Sequence, residues 1–145
     1  MILISHRGNI EFSIKKSENT VEYINKAIDL GFHVEIDIWF FDKKWFLGHD
    51  KPENIVDYNY LLNDKFWIHC KNQAAYKILH QNPDLNVFYQ TTEKFVITSK
   101  NYIWMHENTN LLPNSICVLP ENGIKGDIKK CCGICSDEII KYKNL

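Results

Sequence analysis

The segment HVEIDIWFFDKKWFLGHD, residues 33–50, constrains the fold of this chain more than any other. Apolar residues alternate with Glu35 and Asp37, which is the period of a β-strand, so both carboxylates face the same side of the predicted strand. Neighbouring carboxylates on a buried strand repel each other and lose hydration, at a cost on the order of several kcal/mol unless a cation lies beside them. The strand therefore either turns this face to solvent at a sheet edge or places a positive group against it.

Strand-like and helical patterns alternate in the first half of the chain. Two segments have helical periodicity with capping residues, and they are SENTVEYINKAIDLG and NQAAYKILHQNP. Eight short apolar segments are typical of strands, and they are ILIS, VEIDI, FWIHC, NVFYQ, FVIT, YIWM, ICVLP and CGICS. The early alternation favours a parallel βα architecture, whereas the second half is predicted to be almost all strand and loop.

Composition narrows the possible classes of protein. With 145 residues, 45% of them hydrophobic, the chain is predicted to form one domain over residues 1–145. A net charge of -1 leaves no basic surface for a nucleic acid. No signal peptide pattern and no apolar run of bilayer length is present, so we expect a soluble cytoplasmic protein without a transmembrane segment.

Five cysteines are an odd number, which argues against a disulfide framework. Cys132 and Cys135 form a CxxC pair, but no second ligand pair at zinc-finger spacing is apparent. We interpret these cysteines as small buried strand residues.

Polar side chains follow the predicted strands at their carboxyl ends, where parallel βα proteins place their functional residues. These positions hold carboxylates, histidines and cationic side chains, namely His6, Arg7, Glu35, Asp37, His49, His69 and Lys71. Carboxylates suit a hard divalent cation, arginine and lysine suit a phosphate, and paired histidines suit proton transfer. A single histidine at a strand end is usually structural, but the combination indicates metal-assisted phosphoester chemistry.

The segments SHRG, SENT and VEIDIWFFDKKWFLGHD together resemble the glycerophosphodiester phosphodiesterase family, whose signature runs HRG, ENT, E-x-D and then HD after a short hairpin. The four blocks have the family's order and cover about the first third of the chain. WIHCK and GICSD resemble, more weakly, the third and closing strands of the family's barrel.

The resemblance implies a fold, a cofactor and roles for nine residues. The fold is a (β/α)8 TIM barrel of the phosphatidylinositol phospholipase C type, and the cofactor is a divalent metal ion such as Mg, Ca or Mn. The implied roles are acid and base for His6 and His49, metal binding for Glu35 and Asp37, phosphate binding for Arg7 and Lys71, and support of the mouth for Glu18 and Asn19. His69, the ninth residue, is assigned to the metal site for the reason given next.

His69 departs from the family pattern, which usually has an acidic metal ligand at this position. An imidazole still binds a metal, but it lowers the negative charge of the site and shifts the preference from calcium toward manganese or zinc. Glu121 is a candidate for the missing carboxylate.

The length of the chain is a second departure. A (β/α)8 barrel needs at least about 200 residues, so we predict a reduced barrel that lacks several outer helices. The bare strand faces would then be covered by a partner. We predict a homodimer contact at Phe88, Phe95 or Trp104.

The expected function is that of a metal-dependent phosphodiesterase that cleaves a small glycerophosphodiester-like substrate by histidine acid–base catalysis. Three alternatives stay open. The chain could be a phosphodiester lyase that forms a cyclic phosphate, a degenerate barrel that binds a phosphorylated ligand without turnover, or a purely structural protein.

Overall fold

The computed structural model describes residues 1–107 and 110–145, which form one curled, mixed ten-stranded sheet, a half-barrel. The strands are β1 (Ile2–His6), β2 (His33–Phe41), β3 (Lys44–Leu47), β4 (Asn54–Val56), β5 (Phe66–Cys70), β6 (Asn86–Tyr89), β7 (Phe95–Ile97), β8 (Ile103–Met105), β9 (Ser115–Val118) and β10 (Gly133–Ser136). The described helices are α1 (Val21–Asp29), α2 (Gln73–Leu79) and four short 3-10 turns at Tyr58–Leu62, Pro120–Asn122, Ile128–Lys130 and Ile139–Tyr142.

Parallel strands form the main path of the sheet, in the order β6, β5, β2, β1, β10, β9 and β8. Three further strands extend it through antiparallel pairs. β7 pairs with β8 at one edge, and β3 and β4 continue from the carboxyl half of β2. The pairing of β2 changes from β5 to β3 at Ile38. The chain thus leaves the parallel part of the sheet, turns back as β3 and then reaches His49.

The two faces of the sheet bury different kinds of side chain. On the convex face, Val34, Ile36 and Ile38 pack in the main hydrophobic core with Ile24 of α1 and Leu79 of α2. A smaller cluster fills the concave face with large apolar side chains, namely Ile4, Trp67, Phe88, Trp104, Ile116, Val118 and Cys135. Because side chains alternate along a strand, the polar residues at the carboxyl ends of the concave rows lie above this cluster.

Both helices begin with side-chain caps. The Thr20 hydroxyl accepts a hydrogen bond from Tyr23 N at the start of α1, and Asn72 Oδ1 accepts one from Ala75 N at the start of α2. Asn72 also exchanges hydrogen bonds with both backbone polar atoms of Phe40. The cap of α2 therefore fixes the helix against β2.

The eight predicted strands are all present, but the prediction of a reduced (β/α)8 barrel is wrong. Within the described ranges only two α-helices accompany ten strands, and three of the strand pairs are antiparallel. The connections explain the difference, because residues 98–102 between β7 and β8 are too few for a helical crossover, which needs about a dozen residues. The second half therefore continues the sheet directly.

The predicted homodimer residues have different surroundings. Phe88 and Trp104 are only 1% and 2% exposed, since both belong to the concave cluster, so neither offers surface for a contact with a partner. Phe95 is 56% exposed on the edge strand β7. Among the described residues, the helices are all too short and too polar to cross a bilayer.

Candidate active site

A cavity of about 410 Å³ opens at the carboxyl ends of the parallel strands. It brings together six of the residues predicted from the sequence, namely His6, Arg7, Glu35, His49, His69 and Lys71. Asp37 is completely buried in the wall, and Glu18 and Asn19 lie behind it. The residues come from the ends of β1, β2 and β5, which are neighbours in the sheet, and from the hairpin that follows β2.

Asp37 is surrounded by positive and donor groups. Its Oδ2 lies 2.8 Å from Arg7 Nε and accepts a hydrogen bond of 2.9 Å from Asn19 Nδ2, while Asn19 Oδ1 accepts one from the Asp37 backbone N–H. Its Oδ1 lies 3.1 Å from His69 Nδ1 and 3.5 Å from Lys71 Nζ. Burial alone would raise the pKa of Asp37, but the contact with His69 and the charges of Arg7 and Lys71 lower it well below its usual range.

Glu35 lies two residues earlier on the same face of β2, and positive groups lie farther from its carboxylate than from that of Asp37. Glu35 is 2% exposed, its Oε1 lies 3.7 Å from His69 Nδ1, and its Oε2 lies 3.9 Å from His6 Nε2. Within the described residues, Oε2 of Glu35 has no hydrogen-bond partner. Burying a carboxylate oxygen without a partner costs free energy, so this atom is suited to be a ligand of a cation.

Gln90 and Phe88 fix the orientation of the His69 ring. Its Nε2 lies 3.1 Å from the carbonyl oxygen of Gln90, and its ring stacks on Phe88 at 4.9 Å between centroids. The N–H on Nε2 therefore donates to Gln90, and Nδ1 faces the two carboxylates. Burial opposes the charged imidazole, but the contacts with Asp37 and Glu35 raise the pKa of His69 to about 9.

The donor set fits a divalent metal ion. Glu35, Asp37 and His69 each offer a ligand atom, and these atoms lie within 4.8 Å of one another. A histidine whose second ring nitrogen donates to a backbone carbonyl is a common arrangement around protein-bound metals. Together with the unpartnered Oε2 of Glu35, this arrangement supports a cation at the floor of the cavity.

The two histidines predicted to transfer protons are both held by carboxylates. His6 Nδ1 lies 2.7 Å from Asp137 Oδ1, and His49 Nδ1 lies 2.7 Å from Asp50 Oδ1. Burial raises the pKa of Asp137, but the His6 contact outweighs it and the net pKa is lowered, so Asp137 is an anion. Each histidine thus keeps Nε2 for the cavity, which is the orientation that general acids and bases require.

A hydrogen-bond network around Glu18 supports this wall. Its carboxylate accepts hydrogen bonds from Ser13 Oγ at 2.6 Å, Asn9 Nδ2 at 3.0 Å and an Arg7 terminal nitrogen at 3.3 Å. Burial raises the pKa of Glu18, but the Ser13 and Asn9 hydrogen bonds lower it to about 2. Asn9 also donates to Asp137 at 2.7 Å. The network therefore links Asp137, which orients His6, to Arg7, which lies beside Asp37.

The sequence analysis missed three polar residues of the site. Asp137 follows β10, Gln90 follows β6 and His106 follows β8, so the rule that selects strand-end residues would have found all three if applied to the second half. Glu121, the candidate for an additional metal ligand, instead accepts hydrogen bonds from Asp137 N and Ser136 Oγ. It shapes the end of β10 and lies outside the ligand cluster.

A second cavity of about 540 Å³ shares Arg7 and His49 with the first. Its other wall residues are charged or polar, namely Lys15, Glu18, Asn19, Asp50, Lys51 and Glu53. Arg7 and His49 each therefore border both cavities.

No protein-family model, curated protein or solved structure matches this chain. The resemblance to glycerophosphodiester phosphodiesterases therefore rests on the four motifs alone, and the assignment of function rests on the chemistry of the cavity.

Proposed function

We propose that this protein is a metal-dependent phosphodiesterase, a phosphoric diester hydrolase of the glycerophosphodiester phosphodiesterase type. One observation carries the proposal. Two histidines held by carboxylates line the same cavity as Glu35, whose Oε2 has no hydrogen-bond partner in the described chain, and as the cationic side chains of Arg7 and Lys71. A binding site for a phosphate needs the cations, but it does not need two oriented proton carriers.

Glu35, Asp37 and His69 would hold the divalent cation, with Mg, Ca and Mn as candidates and Mn favoured by the imidazole. When bound, such a cation polarises a nonbridging phosphoryl oxygen and stabilises charge that develops at phosphorus. The hydrogen bonds from Asn19 hold Asp37 in its orientation toward this point.

Arg7 and Lys71 would neutralise the phosphate. Arg7 uses Nε and one terminal nitrogen for Asp37 and Glu18, so other N–H groups of its guanidinium remain for a ligand. Lys71 is 3.5 Å from Asp37, and its ammonium carries further donors. Both cations are held by buried carboxylates, which keeps their positions fixed as charge develops on the phosphate.

His6 and His49 would exchange protons with the substrate through Nε2. One removes a proton from the attacking water or hydroxyl, and the other protonates the leaving alkoxide. Asp137 and Asp50 hold the rings and stabilise the imidazolium forms. Attack by water gives hydrolysis, whereas attack by a neighbouring substrate hydroxyl would make the enzyme a lyase that forms a cyclic phosphate.

The two cavities favour a diester over a monoester. A phosphodiester carries an alcohol on each side of phosphorus, and Arg7 and His49 border one cavity on each side. A phosphate at these residues would extend one alcohol group into each cavity. Both spaces are open and, apart from Trp104 and Val118 in the first, lined by charged and polar side chains, so small alcohol groups fit better than acyl chains.

The test is hydrolysis of glycerophosphocholine with Mg²⁺, Ca²⁺ or Mn²⁺ by the wild type and His6→Ala, with His80→Ala as the matched control. His80 is exposed at the end of α2 and away from the cavity. We expect His6→Ala to lower kcat by about 10²- to 10⁴-fold and His80→Ala to keep the wild-type rate. A wild type that is inert with all three cations, or His6→Ala at full rate, contradicts the proposal.

One observation favours a second candidate, a module that binds a phosphorylated ligand without turnover. As an imidazolium, His69 can neutralise Glu35 and Asp37 in place of a metal. Saturable binding of glycerophosphocholine without product formation would support this alternative.

We further propose a cytoplasmic location and a homodimer that contacts through β7, where Phe95 and Ile97 are both more than half exposed on an edge strand. Light scattering at micromolar concentration tests the dimer, and a monomer would count against it.

A further inference from the structure

His106 is the fourth histidine that lines the main cavity, and no part of the proposed acid–base mechanism uses it. It follows β8 on the concave face, two residues after Trp104, which lines the same cavity. Its side chain is accessible from the cavity, while its backbone N–H donates to Lys94 O at 2.9 Å. The residue thus lies in the cavity wall at the end of β8, and a hydrogen bond fixes its backbone.

The side chain of Gln90 determines which nitrogen of His106 carries the proton. Gln90 is 7% exposed, and its Nε2 donates a hydrogen bond of 2.7 Å to Glu93 O. Its Oε1 is therefore the atom that lies 3.2 Å from His106 Nε2. Because a carbonyl oxygen accepts only, His106 Nε2 must carry a hydrogen. In the neutral imidazole, Nδ1 is then an unprotonated acceptor.

The environment favours that neutral form. Burial lowers the pKa of His106, and the positive charges of His6, His69 and Arg7 lower it further against the opposing charge of Glu35. Within the part of the chain that the structure describes, Nδ1 of His106 has no hydrogen-bond partner. The cavity therefore contains one preorganised neutral acceptor among cations and carboxylates.

The loop between β6 and β7 completes this wall. Thr91, Thr92 and Glu93 line the cavity beside His106, and the loop is tied to the end of β8 by Gln90 and by the Lys94–Glu107 ion pair of 2.8 Å. Trp104 and Val118 add apolar surface to the same cavity. Apolar side chains next to an acceptor and threonine hydroxyls suit the carbon chain of a hydroxylated alcohol.

We propose that His106 is a specificity-determining residue, whose Nδ1 accepts a hydrogen bond from a hydroxyl on one alcohol group of the phosphodiester. This inference rests on the proposed function and adds to it a recognition step for polyol groups. Gln90 acts as a positioning residue, since its side chain sets the tautomer of His106 and its carbonyl holds His69. One residue thus links the hydroxyl subsite to the candidate metal site.

The experiment compares two substrates and three variants. Glycerophosphocholine carries hydroxyls on one alcohol group, and bis(4-nitrophenyl) phosphate carries none. We expect His106→Ala to lower kcat/KM for glycerophosphocholine by about 10- to 100-fold. The loss should exceed the loss for bis(4-nitrophenyl) phosphate by at least about tenfold, mainly through KM.

Two amide variants separate recognition from a structural role. His106→Asn places an amide oxygen near the position of Nδ1, and His106→Gln places its amide near Nε2, where it can only keep the contact with Gln90. Asparagine should restore the preference for glycerophosphocholine, and glutamine should behave like alanine. Rescue by glutamine but not asparagine, or equal losses for both substrates, overturns the inference. A wild type inactive on both substrates overturns the proposed function itself, whereas activity without discrimination by the His106 variants overturns the inference alone.

Discussion

The two halves of the curled sheet contribute different chemistry to the same cavity. Strands β1, β2 and β5, which are adjacent at its centre, supply the buried carboxylates and most of the charges that oppose them. Strands β6, β8 and β10 supply Gln90, His106 and Asp137, which hold or extend the central group. The charged side chains are thus concentrated on the central strands, which are covered on both faces. The surrounding strands supply the residues that hold these side chains in position.

A sharper contrast lies within β2. Each carboxylate has one buried oxygen without a hydrogen-bond partner in the described chain, but Asp37 lies 2.8–3.5 Å from nitrogens of Arg7, His69 and Lys71, whereas Glu35 lies 3.7 and 3.9 Å from those of His69 and His6. We infer that Asp37 contributes mainly to the stability of the site and Glu35 mainly to its function.

Asp37→Asn should have the largest effect, a loss of about 3–5 kcal/mol in the free energy of unfolding, because Arg7 and Lys71 would lose their common buried counterion. Urea denaturation followed by tryptophan fluorescence measures it. Glu35→Gln is the matched comparison and should cost much less. Equal losses for the two variants would remove the proposed contrast.

Glu35→Gln should instead abolish function while the protein stays folded. We expect kcat/KM for bis(4-nitrophenyl) phosphate to fall by at least about 100-fold and Mn²⁺ affinity to fall in calorimetry, because a ligand charge is lost. Glu22→Gln, an exposed change in the first turn of α1, is the control. Activity near the wild-type level in Glu35→Gln would show that Glu35 is not part of the reaction.

Asp137→Asn tests the contribution of the second half. It should lower kcat by about 10- to 100-fold with little change in KM, since Asp137 orients His6. The double variant with His6→Ala should be no slower than His6→Ala alone, because the two residues act as a unit. Additive losses would show that Asp137 acts independently of His6.

Glu18 should produce the smallest effect, which depends on pH. Its pKa is lowered from 4.5 to about 2 in the folded protein, so its contribution to stability is complete above about pH 4.5 and is lost as the pH falls toward 2. Between pH 5 and 3 the wild type should lose about 1–2 kcal/mol more than Glu18→Gln, measured by urea denaturation. Parallel pH profiles would contradict this assignment.

The sequence predicted local structure better than global structure. Alternation in VEIDI correctly placed Glu35 and Asp37 on one face, and each apolar segment became a strand because burial of short β-branched runs is a local signal. The barrel was wrong because strand direction and crossover length depend on distant pairing, such as β7 with β8. The (β/α)8 barrel was implied by the family resemblance, whereas the residues themselves favoured only a parallel βα architecture in the first half.

The site was predicted in part for a similar reason. His6, His49 and His69 follow segments with clear motifs, and the structure places all three at one cavity. Gln90, His106 and Asp137 were missed because the second half has only the weak resemblance of GICSD, in which no role was assigned to Asp137. Their partners lie 16 residues away for Gln90 and His106 and 131 residues away for His6 and Asp137, and sequence spacing does not reveal such contacts.

The most direct test of the central claim is the anomalous diffraction of a crystal soaked in Mn²⁺. We expect one ion with Glu35, Asp37 and His69 Nδ1 among its ligands, and its loss in Glu35→Gln. A saturating soak that leaves no ion at these residues, with His69 Nδ1 still against Asp37, would contradict a metal-dependent site.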